Sequence, residues 1–163
     1  MVFTIFIVFV LLLRIGELLL ARRNERWLLQ HGAVEYGTGH YGYIVMLHLL
    51  FFVSLITEYA FTSTGYYSVP LLVLYLVLLA FKAWTVFSLG RFWNTKIYHI
   101  SGYPLVKKGP YRFMKHPNYV IVIAEIALIP LIFHLYFTAV VFSLLNALML
   151  YVRIREENKV LVL

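Results

Sequence analysis

Five long apolar runs, parted by short polar segments, organise this chain. They extend from about Val2 to Leu20, Tyr43 to Tyr59, Pro70 to Gly90, His116-Pro117 to Pro130, and Tyr136 to Val152. A helix needs about 20 apolar residues to cross ~30 Å of hydrocarbon, and these runs approach that length. Pro70 stands where a helix favours proline, in its first turn. The pattern predicts an all-α integral membrane bundle of about five transmembrane helices, a single domain over residues 1–163 with helices one to three in 1–90 and a functional core in 91–163. The intervening polar stretches run from Arg22 to Tyr41, from Arg91 to Lys115, and from Arg153 to Lys159, with an uncharged loop from Phe61 to Val69 and a tight turn around His134.

Composition sharpens the membrane reading. The chain is 63% apolar and 13% charged, with a mean hydropathy of +0.85, whereas soluble domains are about a quarter charged. The apolar start lacks a basic leader and a small-residue cleavage site, so a retained helix is expected there rather than a signal peptide. With no cysteine, disulfides, thiolate metal sites and a cysteine nucleophile are excluded. Neither HxxxH nor HExxH occurs, so no metal site is expected.

With five spans, every Lys and Arg falls in the loops after helices one and three, in the C-terminal segment, or in the adjoining halves of the helices. Lys and Arg mark the cytoplasmic face. The N-terminus is therefore expected outside and the C-terminus in the cytosol. The net charge of +7 is read as orientation and attraction to anionic membrane lipids, not nucleic acid.

The candidate chemistry gathers on that basic side. Lys107-Lys108-Gly109-Pro110-Tyr111-Arg112-Phe113-Met114-Lys115-His116-Pro117-Asn118-Tyr119 is too polar and turn-rich to fill a core. Helices four and five, joined by a very short turn, must be antiparallel neighbours. That brings His116, Asn118 and Tyr119 beside Arg153, Glu156 and Glu157. The amides of a helix beginning at Pro117 favour an anion, while the glutamates suit a cation. A site wanting both signs fits S-adenosylmethionine. The plainer readings are a basic loop that sets topology and binds anionic lipid, a turn with a helix cap, and a solvated helix end. Lys82 and Glu125, about two turns inside their helices, are expected to face each other or the floor of the pocket, as a packing ion pair or as a substrate contact.

The run Gly109-Pro110-Tyr111-Arg112 … Lys115-His116-Pro117-Asn118-Tyr119, followed by a helical hairpin and Arg153 … Glu156-Glu157 … Leu161, resembles the isoprenylcysteine carboxyl methyltransferase family over about Lys96 to Leu161. It is also similar to phospholipid N-methyltransferases. Arg22-Arg23-Asn24 and Gly32 to Tyr41 resemble the short bacterial branch, which implies a bacterial plasma membrane. The resemblance implies S-adenosylmethionine as methyl donor. Its implied contacts are Lys96, Tyr103, Pro104, Leu105, Val106, Tyr111, His116, Pro117, Asn118, Tyr119 and Glu157. Arg153 matches the arginine assigned to substrate, and Glu125 is a second candidate on the substrate side. Lys115 replaces the family's usual arginine, losing planar bidentate geometry, and Tyr103 stands where eukaryotic members carry histidine.

The expected reaction is methyl transfer to an acidic oxygen of a lipophilic acceptor that enters from the bilayer, a prenylcysteine carboxylate or an alkyl-pyrone enol. Such an acid is already ionised at neutral pH and needs no general base. The alternatives are a phospholipid N-methyltransferase, an NADPH-dependent membrane reductase of related layout, and a non-catalytic scaffold. Nothing in the sequence names the oligomeric state.

Overall fold

In a computed structural model, the chain is described over residues 1–62, 65–104 and 106–160, with backbone alone at Val160. Leu105, expected among the cofactor contacts, and Leu161 lie outside the described residues. The elements are α1 (Val2–Gln30), β1 (Val34–Tyr36), α2 (Thr38–Thr62), α3 (Val69–Leu89), β2 (Ile97–His99), α4 (Pro117–Ile132) and α5 (Tyr136–Val160). Short 3-10 turns at Gly90–Phe92 and Gly109–Arg112 interrupt the α3–α4 connection. Helices α1, α2, α3 and α5 are long and apolar enough to cross a membrane, and α4 is a shorter apolar helix of 16 residues. This is an all-α, multi-pass membrane bundle.

Two elements run well beyond the apolar runs that announced them. Helix α1 continues ten residues past Leu20, through Arg22-Arg23-Asn24-Glu25-Arg26-Trp27. Ala21, Asn24 and Leu28 are buried on one side of this extension while Arg22, Arg23 and Arg26 face outward. A three- and four-residue spacing keeps a helix amphipathic after it leaves hydrocarbon. Helix α5 likewise continues through Arg153–Lys159, which the hydropathy pattern assigned to a tail. The Gly39-His40-Tyr41 segment, expected in a loop, forms the first turn of α2.

The antiparallel ribbon β1–β2 was also not foreseen; Val34 pairs with His99, Glu35 with Tyr98 and Tyr36 with Ile97. Two three-residue strands, far apart in sequence, carry no periodicity of their own. Their pairing couples the α1–α2 connection to the long loop before α4.

One apolar core fills the end of the bundle away from the basic residues. Phe3, Phe6, Ile7 and Val10 of α1 pack with Phe51 and Leu55 of α2, Tyr75 of α3, and Ile126, Ile129 and Ile132 of α4. The α4–α5 turn is Phe133-His134-Leu135, with His134 at φ +58°. On that end Glu58 accepts from the amides of Phe137 and Thr138, at 3.0 and 2.8 Å, and so caps the start of α5.

Deeper toward the basic end, α1, α3 and α4 are joined by charge. The Arg14 guanidinium donates to Glu17 at 2.8 Å and to Glu125 at 2.7 Å. Lys82 Nζ donates to both oxygens of Glu125, at 3.0 and 3.2 Å, and pairs with Glu17. Lys82 and Glu125 therefore face each other as expected, within a four-charge, electrically balanced cluster. Glu125 is 1% exposed.

Candidate active site

Proline at the first position of α4 starts that helix without wasting an amide donor. His116 is its N-cap, and one turn later Tyr119 points back toward α5. On α5, Arg153 and Glu157 are four residues apart and share one face. The tight α4–α5 turn brings these two helix ends together. Arg153 Nε donates to the Tyr119 hydroxyl at 2.9 Å, and that hydroxyl in turn donates to Glu157 Oε2. The Arg153 guanidinium also lies over the Tyr119 ring, 5.5 Å from its centroid. His116 stacks on the same ring, with Nδ1 3.5 Å from Glu157 and Nε2 3.3 Å from the Asn158 side chain.

These side chains form one wall of a cavity of about 680 Å³, within the range of roughly 300–1,000 Å³ typical of small-molecule sites. Of the residues expected to hold cofactor, Lys96, Tyr103, Pro104, Val106, Tyr111, His116, Asn118, Tyr119 and Glu157 line it, together with Arg153. Pro117 is buried and stands behind the wall as the start of α4. Glu125 is not among the lining residues; both of its oxygens are taken by Lys82 and Arg14.

Sequence reasoning overlooked the opposite wall. Phe92, Trp93, Asn94, Tyr98 and Ile100 line the cavity, as does Leu28 of α1. The floor is fastened to α1 by a pair of asparagines. Asn24 Nδ2 donates to the carbonyls of Trp93 at 2.7 Å and Gly90 at 3.2 Å, and Asn94 Nδ2 donates to the Ala21 carbonyl at 3.0 Å. The available signal was Asn24 itself, an amide set between Ala21 and Leu28 on the buried side of the α1 extension.

A second fastening lies on the ribbon. Lys96 Nζ pairs with Glu25 at 2.9 Å and Glu35 at 3.3 Å, and the Tyr98 hydroxyl reaches the same two oxygens at 2.5 and 3.1 Å. Hydrogen bonding to Glu25, then to Glu35, holds the Lys96 ammonium above its ordinary pKa. Burial and the two carboxylates push the Tyr98 phenol up. Between these fastenings, the Thr95 carbonyl accepts from Arg153 Nη2 at 2.6 Å. Arg153 is thus gripped by Tyr119 on one side and Thr95 on the other. Its Nη1 has no hydrogen-bond partner among the described residues.

The donor set fits S-adenosylmethionine. Glu157 offers a carboxylate to an ammonium, while Lys107 and Lys115 on the rim offer cations to a carboxylate. Phe92 and Tyr103, with centroids 5.8 Å apart, offer aromatic surface to a base. The buried indole N–H of Trp93 has no partner among the described residues, which is unusual for a buried donor. Burial, then the nearby Glu157 carboxylate, pushes the Tyr111 phenol up to about 12. Tyr111 therefore stays a neutral donor. Among the described residues, no three His, Cys, Asp or Glu side chains gather to hold a metal.

Comparison with known proteins identifies the family. The family model described as isoprenylcysteine carboxyl methyltransferase (ICMT) family matches residues 71–163. The chain is similar to an uncharacterized protein of Bacillus subtilis (strain 168), YpbQ, at 44% identity over 163 residues, covering 98% of this chain and 96% of the relative. It is also similar to an uncharacterized Haemophilus influenzae protein, at 26% identity over 155 residues, covering 91% and 88%. No solved structure matches. The matched segment holds α4, α5 and most of the cavity wall, and with it the chain belongs to the isoprenylcysteine carboxyl methyltransferase family, a membership that implies a membrane methyltransferase.

Proposed function

We propose that this protein methylates an acidic oxygen of a lipophilic acceptor, with S-adenosylmethionine held in the cavity at the basic, cytosolic end of the bundle. The observation that carries this reading is the pairing of Arg153 and Glu157 on one helix face, opposite in charge and joined through one tyrosine hydroxyl at the cavity wall. Glu157, Tyr111 and the rim cations would hold the cofactor, which supplies an electrophilic methyl group. Arg153, fixed on two edges with Nη1 uncommitted, would orient and partly neutralise the acceptor's anion. An ionised carboxylate or enol has no proton to lose, so positioning and exclusion of water account for the residues present. Leu28, Ile97 and Ile100 give the cavity apolar walls suited to a lipid-tailed molecule. The positive-inside bias supports a cytosolic setting for this end and an N-terminus outside. The family's bacterial relatives favour a plasma membrane.

The experiment is thermal unfolding of the detergent-solubilised protein with S-adenosylhomocysteine or NADPH, followed by radiolabelled methyl transfer to prenylcysteine, alkyl-pyrone and aminophospholipid acceptors. Stabilisation by S-adenosylhomocysteine and label in an acidic acceptor support the reading. Stabilisation by NADPH overturns it in favour of a reductase. Label in the aminophospholipid alone overturns the acidic-oxygen assignment, and neither stabilisation nor label overturns the enzyme reading.

A further inference from the structure

The basic segment between the ribbon and α4 lies against α3 instead of standing out in water. Gly109, at φ +54°, is so close to α3 that a Cβ there would collide with the Ser88 side chain and press on the Trp84 indole. Trp84 precedes the helix-ending Gly90 by six residues, about 9 Å down the axis at 1.5 Å per residue. Tryptophan favours the water–lipid interface, which supports a place near headgroup level for the segment. Phe113 is 79% exposed, Met114 beside it is also exposed, and Phe87 on the flank of α3 is 81% exposed. Around them Lys107, Lys108, Arg112 and Lys115 are all exposed, and none forms an ion pair among the described residues. Residues 101–116 contain no acid. Exposed apolar tips ringed by unpaired cations are suited to an anionic interface, where rings enter the acyl boundary and ammonium groups meet phosphates.

We infer that this segment is a lipid-surface seat: Phe113 and Met114 insert into the leaflet on the basic side, and Lys108 and Arg112, the two flanking cations that do not line the cavity, bind anionic headgroups. Lys107, Tyr111 and Lys115 of the same segment line the cavity. The charge of the bilayer therefore sets the position of the cavity's rim. The inference does not depend on what the cavity binds.

Because the chain has no cysteine, Phe113→Cys accepts a single nitroxide at an exposed position that carries no core packing. Power saturation in nanodiscs then reports its collisions with oxygen, which concentrates in lipid, and with a nickel chelate, which stays in water. In discs of phosphatidylcholine with phosphatidylglycerol the label is expected to lose nickel accessibility and gain oxygen accessibility relative to phosphatidylcholine alone. Lys108→Gln with Arg112→Gln, neither of which lines the cavity, should abolish that difference. Gly109→Ala should shift the label toward water in both. A nickel-accessible label in both lipids overturns the seat, and an equally lipid-embedded label in both overturns the role of anionic lipid.

Discussion

Arg153 donates to the Tyr119 hydroxyl at 2.9 Å, and the two residues come from helices whose ends meet only because α4 and α5 form a hairpin. The same hydroxyl donates to Glu157. One oxygen thus sets the spacing between the cation expected to meet the acceptor and the carboxylate expected to meet the cofactor. Tyr119→Phe keeps the ring that stacks on His116 but leaves Arg153 Nε and Glu157 without their shared partner. A buried polar group so orphaned costs about 1–3 kcal/mol. We expect native helicity by circular dichroism, with methyl transfer reduced roughly tenfold or more, since tenfold is about 1.4 kcal/mol. Wild-type turnover in this variant would show that the hydroxyl positions nothing.

Arg153 and Glu157 separate by readout. Arg153→Ala should abolish turnover and leave S-adenosylhomocysteine affinity nearly intact. Glu157→Ala should weaken that affinity by about 1.5–3 kcal/mol, the range for hydrogen bonds to charged groups. Calorimetric titration of both variants checks the assignment, and the reverse pattern would exchange their roles.

Glu125, with both oxygens held by Lys82 and Arg14, is expected to act through the scaffold. Removing one partner of a buried pair leaves an uncompensated charge, so Glu125→Ala should destabilise by about 3–5 kcal/mol. Lys82→Met combined with Glu125→Leu removes one cation and one anion and leaves Arg14 paired with Glu17. The double variant should therefore melt above Glu125→Ala, with wild-type affinity for S-adenosylhomocysteine in its folded fraction. Equal melting of the two variants would mean that charge balance is not what holds these helices.

Alkali should loosen the site. The Tyr111 phenol is raised to about 12 from an ordinary value of 10.0. Between those values the unfolded chain has released a proton that the folded chain keeps, so stability falls as pH rises. The raised Lys96 acts in the same direction, its contribution being complete below about pH 10.4 and lost above. In the ultraviolet difference between wild type and Tyr111→Phe, the tyrosinate signal should appear near pH 12, and Tyr111→Phe should lose less stability between pH 10 and 12. A midpoint near pH 10 would mean that Tyr111 is not buried beside Glu157.

The apolar helices and their order follow from composition along the chain, because hydrocarbon selects apolar helices whatever lies around them. The neighbourhood of His116, Tyr119, Arg153 and Glu157 was legible too, since a three-residue turn leaves α4 and α5 no choice but to lie antiparallel. What hydropathy did not disclose is where those helices stop. A helix leaving the bilayer turns amphipathic without ending, so Arg22–Gln30 and Arg153–Val160 read as loop and tail although they are helical.

Only the tertiary structure revealed that the N-terminal half completes the cavity. Asn24 grips Gly90 and Trp93, Glu25 and Glu35 hold Lys96, and the strand Val34–Tyr36 pairs with Ile97–His99. Each of these contacts joins residues more than 60 positions apart. A polar side chain declares its partner only when the fold brings that partner within hydrogen-bonding distance. In the sequence Glu25 is one member of the polar stretch from Arg22 to Tyr41, and its bond to Lys96 exists only in three dimensions.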